Sequence, residues 1–259
     1  MSFIKLLNIN IDKKNIVSFV GAGGKTTTMF EVAKEMKSLG KKVLVTTTTK
    51  IFFPAKNQFD GIIISEDYDE ITSVIKKYPD RLLTVICGGN ILANTGGNTT
   101  PKKLRGIDKS YIDRLYSENF FDVILVEADG AKGKQVKAPN AFEPVIPLKT
   151  TLVVGVIGLE CLGKEITKEW VHRPELFAKI AKKKLGEEID CESLVNLITS
   201  PRGLFKDAPK DCKCLVLLNV SDMNAILREK ATYVMQLALE ENRNCNSLVK
   251  ISDVVVNTY

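Results

Sequence analysis

Short runs of β-branched and aliphatic residues alternate with longer stretches of helical hydrophobic spacing along the whole chain. The runs Ile16–Val20, Lys42–Thr46, Gly61–Ser65, Leu82–Cys87, Phe121–Glu127, Thr151–Ile157, Cys214–Asn219 and Asp253–Val256 read as strands. Several are apolar almost throughout, as strands buried on both faces of a parallel sheet must be. Between them the spacing predicts helices over Thr26–Leu39, Tyr68–Lys77, Asp108–Glu118, Pro174–Leu185, Cys191–Ile198 and Ala225–Asn242. In the first helix Met29, Val32, Ala33, Met36 and Leu39 recur on one side, and Gly40 is placed as a C-cap. The alternation predicts an α/β fold, a mostly parallel sheet with helices on both faces in three αβα layers. The 259 residues can bury a sizeable core, and we expect 1–259 to form one domain, more helical from about residue 160. A weak boundary is expected near Ile157–Gly163.

The first strand empties into the sequence Gly21-Ala22-Gly23-Gly24-Lys25-Thr26-Thr27-Thr28, with the first predicted helix directly behind it. Strand, glycine turn, Lys-Thr and helix is the arrangement that cradles nucleotide phosphates. Glycines let successive N–H groups turn toward an anion, and the helix N-terminus adds partial positive charge. Residues Gly21 to Thr27 then form the phosphate cradle, Lys25 stabilises charge on the β/γ-phosphates, and the Thr26 hydroxyl is placed to ligate Mg²⁺. The spacing G-x-x-x-x-G-K-[ST] would put glycine where Phe19 stands; here the form is G-x-x-G-K-T-T. That shorter form resembles the loop of the Mur-type amide ligases, Gly-Thr-Asn-Gly-Lys-Thr-Thr. A glycine-rich turn can lack a ligand, but Lys-Thr-Thr with both flanking elements assigns this one to phosphate.

A second candidate lies where Phe121-Asp122-Val123-Ile124-Leu125-Val126 ends in Glu127-Ala128-Asp129-Gly130. An apolar strand ending in carboxylates has the form of a Walker-B strand. One of Glu127 and Asp129 would hold the metal bound by Thr26, and the other would orient or deprotonate a nucleophile. Thr46 to Thr49 end another strand, placing hydroxyls such as Thr48 at the edge where open α/β sheets bind ligands, although threonine is also a good strand former. Lys50 follows and suits a phosphate or a carboxylate.

Composition narrows the field. A formal charge of +6, with lysines spread along helices, suits an anionic small ligand but not a nucleic-acid interface. No apolar run approaches the ~20 residues of a membrane span, and the first residues lack a signal-peptide pattern. The 6 cysteines show no C-x-x-C pair and no zinc spacing; a reducing cytoplasm is expected, with Cys212 and Cys214 in core or edge positions. Gly88 to Gly106, rich in glycine and polar residues, is expected as a long irregular loop, either a substrate-facing lid or a solvated excursion.

Taken together, Gly21 to Thr27, Thr46-Thr47-Thr48-Thr49-Lys50, Glu127-Ala128-Asp129-Gly130-Ala131-Lys132-Gly133 with Lys137-Ala138-Pro139, and His172-Arg173-Pro174-Glu175 resemble the YqeC family. That family is described as accessory proteins of selenium-dependent molybdenum hydroxylases. The resemblance runs on through Ser200-Pro201-Arg202-Gly203-Leu204 and Leu218-Asn219, nearly the whole chain. It implies a P-loop NTPase fold and a part in selenium cofactor biosynthesis, with such a hydroxylase or its cofactor as partner. His172, the single histidine, would by itself be read as structural; within this motif it gains a functional role, as a proton shuttle beside Arg173, a clamp for phosphate or carboxylate.

Asn219 and Asp222 sit where the Asn-Lys-x-Asp motif of GTPases reads the base, but Val220 replaces its lysine. ATP is therefore the expected nucleotide, with GTP left open. The expected activity is Mg²⁺-nucleotide-dependent activation of a substrate, with Lys25, Glu127, Asp129, His172 and Arg173 as the candidate catalytic residues. Two alternatives stand beside it: a nucleotide-gated chaperone docking on a hydroxylase or its assembly machinery, and an amide-forming enzyme like the Mur ligases.

Overall fold

The structure, a computed structural model, describes residues 2–80, 82–92, 103–220, 225–244 and 250–258. It divides into two compact units, each assembled from segments distant in sequence. Met1–Ser18, Thr26–Gly130 and Val145–Thr151 form the first; Phe19–Lys25, Ala131–Pro144 and Leu152–Tyr259 form the second. The second unit's long segment thus begins at Leu152, ahead of the boundary expected near Ile157–Gly163. It also recruits two short pieces that no local composition shift announces.

The first unit opens with a short helix, α1 (Phe3–Leu6), which the sequence pattern does not reveal. Its first amides are satisfied from a distance: Glu35 accepts from Phe3 N at 2.8 Å and Ile4 N at 3.1 Å. Strand β1 (Asn15–Gly21) runs from this unit into the other, and α2 (Lys25–Ser38) follows the turn after it. Met29, Val32, Ala33 and Met36 are all fully buried along α2, as their spacing requires. Leu39 is not on that stripe; it lies beyond the last helical residue and is 52% exposed.

The unit continues with β2 (Val43–Thr47), β3 (Lys50–Phe52), β4 (Gly61–Ile64), α3 (Tyr68–Lys77), β5 (Leu83–Leu92), β6 (Lys103–Arg105), α4 (Lys109–Ser117) and β7 (Val123–Glu127). Its strands lie in the order β1-β7-β2-β5-β6-β3, with β4 also on β5. β2 is parallel to both β5 and β7, and β4 to β5, while β6 is antiparallel to β3 and β5. Every residue of β2 and β7 is buried, which is why both read as unbroken apolar runs. α3 begins on Asp67, whose carboxylate accepts from Glu70 N, and α4 on Asp108 in the same manner.

The stretch from Gly88 corrects the expectation of one long loop. β5 continues through it to Leu92, and β6 returns antiparallel with Arg105 opposite Gly88. Glycine at 88 reads as a loop signal in sequence; here it permits close passage, since a Cβ would come 2.6 Å from the Gly106 carbonyl oxygen. The central part of the expected lid, residues 93–102, lies outside the described residues.

The second unit comprises β8 (Val136–Lys137), β9 (Leu152–Gly158), β10 (Val171–His172), α5 (Pro174–Ala181), α6 (Cys191–Thr199), β11 (Lys213–Val220), α7 (Ala225–Asn244) and β12 (Ile251–Thr258). β11 is parallel to β9 on one side and β12 on the other. β8 and β10 make a separate two-stranded parallel pair, too short for periodicity to show. α5 ends four residues before the expected Leu185. Lys182 turns left-handed at φ 58°, and Lys183 N bonds back to the Ala178 carbonyl at 2.9 Å. The chain is therefore an α/β protein with a mostly parallel sheet. No helix among the described residues is long and apolar enough to cross a membrane.

Candidate functional site

Backbone geometry makes glycine obligatory on both sides of the turn after β1. Gly21 has φ 91°, and a Cβ there would stand 2.3 Å from the Val156 carbonyl oxygen. Gly23 has φ 77°, with a Cβ 2.3 Å from Gly158 N. The turn is consequently pressed against β9, and its outer amides are used to hold it there. Ala22 N donates to the Val156 carbonyl at 2.9 Å, and Gly23 N to that of Lys134 at 3.0 Å. The amides that lead into the helix, from Gly24 and Lys25 onward, are the ones set at the helix N-terminus.

Lys25 is 4% exposed, and its ammonium curls back to the Gly21 carbonyl at 2.7 Å. Asn219, at the end of β11, donates from its side-chain amide to the Gly23 carbonyl at 2.9 Å. Asn257 in turn donates to the Asn219 side-chain oxygen at 3.1 Å. Asn219 thus buttresses the turn, at 2% exposure, and Asp222 lies outside the described residues.

Thr26 follows Lys25 in the chain and belongs to the first unit. Its hydroxyl donates to Glu127 Oε2 at 2.5 Å. Glu127 is the last residue of β7 and pairs in register with Thr47 of β2. The Thr47 hydroxyl donates to the Glu127 carbonyl at 2.7 Å, fixing the backbone from which the carboxylate projects. Asp129 lies just beyond the strand and is 2% exposed, beside a chain held by Val145 N donating to the Ala128 carbonyl at 2.9 Å. A hydroxyl and a carboxylate in contact, with a second carboxylate two residues on, is a hard-oxygen donor set of the kind Mg²⁺ takes alongside water and phosphate. Among the described residues no cluster of three or more His, Cys, Asp or Glu could hold a metal ion.

The remaining expected ligands are divided. Thr27 is exposed on the first turn of α2. Thr48 spends its hydroxyl on the Val145 carbonyl at 2.8 Å, and Thr46 on that of Ile86 at 2.7 Å. Lys50 is exposed at the start of β3, opposite Arg105. Burial pushes the Cys87 thiol up to about 12 and raises those of Cys161 and the half-buried Cys191 as well, which favours the protonated form.

In the second unit, β10 places His172 in register with Lys137 of β8. Arg173 then adopts a left-handed conformation, φ 66° and ψ 64°, and leads into Pro174 at the first turn of α5. Lys137 is 1% exposed, and its ammonium reaches Glu143 Oε2 at 2.8 Å. Arg173 reaches the same oxygen through NH1 at 2.7 Å and also donates to the Ala138 carbonyl at 3.3 Å. Burial alone would raise Glu143, but the hydrogen bonds from Arg173 and Lys137 outweigh it and hold the carboxyl at about 2. Burial, then the charges of Arg173, Lys137 and Lys132, push His172 down to about 4 against the opposing pull of Glu143. The imidazole is neutral at pH 7.

Lys137 and Glu143 were not among the candidate residues read from sequence. Lys137 stands in the Lys137-Ala138-Pro139 stretch that carries part of the family resemblance but takes no role from it; Glu143 leaves no trace, because its partners arrive only through the fold.

The family described as YqeC protein matches residues 17–175. The "Uncharacterized protein YqeC" of Escherichia coli (strain K12) is 33% identical over 212 residues, 80% of this chain and 76% of its own length. Among solved structures, FtsY from Mycoplasma mycoides aligns with 96% of this chain and 54% of its own, about half its length, at TM-score 0.32 and 12% identity. That likeness is too distant to place any residue.

Proposed function

The chain belongs to the YqeC family, and from that footing we propose that it binds a Mg²⁺-chelated nucleoside triphosphate, ATP first, and uses it to activate an acceptor substrate. One observation carries the reading. The turn that demands glycine at 21 and 23 runs straight into Lys25 and into Thr26, whose hydroxyl already rests on the Glu127 carboxylate. A ligand-free turn needs neither the buried lysine nor the buried strand-end acid.

In this reading the amides from Gly24 onward and the N-terminus of α2 face the phosphates. Lys25 exchanges its bond to the Gly21 carbonyl for the β/γ-phosphate oxygens. Thr26, Glu127 and Asp129 would hold the magnesium, which when bound neutralises charge on those same oxygens. Glu127 or Asp129 also accepts the proton of an attacking acceptor group, directly or through one water. Asn219 keeps the turn in shape. In this reading the protein is an NTPase of the P-loop kind, and its acceptor belongs to the maturation of selenium-dependent molybdenum hydroxylases, as the family resemblance implies.

Calorimetry with MgATP, MgGTP and MgADP tests the reading. Binding in the micromolar range is expected, weakened at least tenfold by Lys25→Ala, together with acceptor-stimulated nucleotide turnover. Absence of heat for all three nucleotides with correctly folded protein would refute it.

A further inference from the structure

The second unit carries a cationic cluster that nucleotide binding does not use. We propose that Arg173, with Lys137 and His172 behind it, is the binding subsite for an acid group, a carboxylate or tetrahedral oxyanion, of the acceptor substrate. The inference rests on the nucleotide reading above, in that it supplies that reaction's second partner.

The geometry of Arg173 carries it. Its guanidinium is anchored from one side only, NH1 serving both Glu143 and the Ala138 carbonyl. Among the described residues its Nε and NH2 have no partner. Nε and one terminal nitrogen form the planar fork that receives a carboxylate or phosphate through two parallel hydrogen bonds. With 21% of the side chain exposed, that fork is within a ligand's reach, while Lys137 behind it is 1% exposed. Lys206 adds a third cation at the Glu143 carbonyl, 3.2 Å away, itself paired with Asp207.

The cluster is also tied to the phosphate turn within the same unit. Lys134 and Gln135, three and two residues before Lys137, accept from Gly23 N at 3.0 Å and Gly158 N at 2.9 Å. A fixed offset between a phosphate turn and an acid clamp is what transfer between two anionic partners requires. Backbone strain concentrates here too: Lys132, Arg173 and Asp207 all hold positive φ without being glycine. The neutral imidazole of His172 can accept a hydrogen bond or a proton from the bound acceptor, which an imidazolium could not.

The chain's single histidine makes the test clean. The probes are acetate, for a carboxylate, and inorganic phosphate and sulfate, for a tetrahedral oxyanion, added to tag-free full-length protein. NMR follows the His172 imidazole, which faces Arg173, Lys137, Lys132 and Glu143, together with the arginine Nε signals. At least one probe should shift both saturably and raise the pH at which His172 titrates. Arg173→Lys should weaken that probe about tenfold, and Arg173→Gln should abolish the response, in variants whose melting shows them folded. No saturable response from any probe, or a response unchanged in Arg173→Gln, overturns the proposal. So does a loss of preference for ATP over ADP in Arg173→Gln, which would make the residue a reader of the nucleotide's own γ-phosphate. MgADP calorimetry on the same samples keeps the two readings apart: anion binding without MgADP binding supports the subsite and sinks the nucleotide reading.

Discussion

The side-chain amide of Asn219 holds the Gly23 carbonyl at 2.9 Å, so the end of β11 sets the shape of the turn that precedes Lys25. That contact makes Asn219 a positioning residue for the phosphate turn. Asn219→Ala leaves the Gly23 carbonyl and the Asn257 amide short of a partner in a buried setting, at a cost of about 1–3 kcal/mol. MgATP affinity should fall roughly tenfold with little change in the preference between ATP and GTP. A change in base preference, measured by competition, would instead make Asn219 a base reader.

Thr26 and Glu127 share a hydrogen bond that magnesium, on the reading proposed above, would have to reorganise. Thr26→Ser keeps the hydroxyl and should retain Mg²⁺-dependent nucleotide binding. Thr26→Ala removes it, and should reduce the gain in affinity on adding Mg²⁺ by roughly tenfold, about 1.4 kcal/mol. Titrations of ADP with and without EDTA separate the two variants.

Gly23 tolerates no side chain. Gly23→Ala combines an unfavourable φ of 77° with a Cβ 2.3 Å from Gly158 N, backbone that cannot yield by rotamer change. Loss of about 2 kcal/mol or more is expected in urea unfolding, with nucleotide binding lost even at temperatures where the variant stays folded. Gly133, whose Cβ would meet nothing within 4 Å, is the control; Gly133→Ala carries only the conformational cost of φ 71°.

Acid should destabilise the second unit in two stages. His172 titrates near its usual 6.5 when unfolded but at about 4 when folded. The unfolded chain therefore binds more protons between those values, and stability falls as pH drops from 6.5 toward 4. Glu143 is depressed from 4.5 to about 2, so its contribution is complete above 4.5 and is lost as pH falls toward 2. Allowing for solvent screening, each accounts for about 1–2 kcal/mol. Chemical denaturation at pH 7, 5 and 3 should show both losses in the wild type, the first absent in His172→Gln and the second in Glu143→Gln.

Much of this molecule is determined by order along the chain. Apolar runs such as Val123–Val126 and Val153–Val156 can only be strands covered on both faces, because no other element buries consecutive residues on alternate sides. The glycine turn after β1 is equally legible, since its glycines, lysine and threonine are adjacent in sequence and their backbone requirements are local. Fold class and the shape of that turn therefore needed no tertiary information.

Tertiary structure alone decided what lies across from these residues. β3, β6, β8 and β10 are two or three residues long, too short for a period to register, and exist because a partner strand passes close by. Thr48, Lys50 and Asn219 all sit at strand ends or starts, where sequence shows a polar group but not whether it meets a backbone carbonyl, solvent or a ligand. Glu143 gathers Lys137 from β8 and Arg173 from the residue after β10, and the parallel pairing of those strands brings two cations to one carboxylate oxygen. Hydrophobic periodicity is a one-dimensional signal. Convergence of charges from separate segments is a three-dimensional one, created by the burial that periodicity drives.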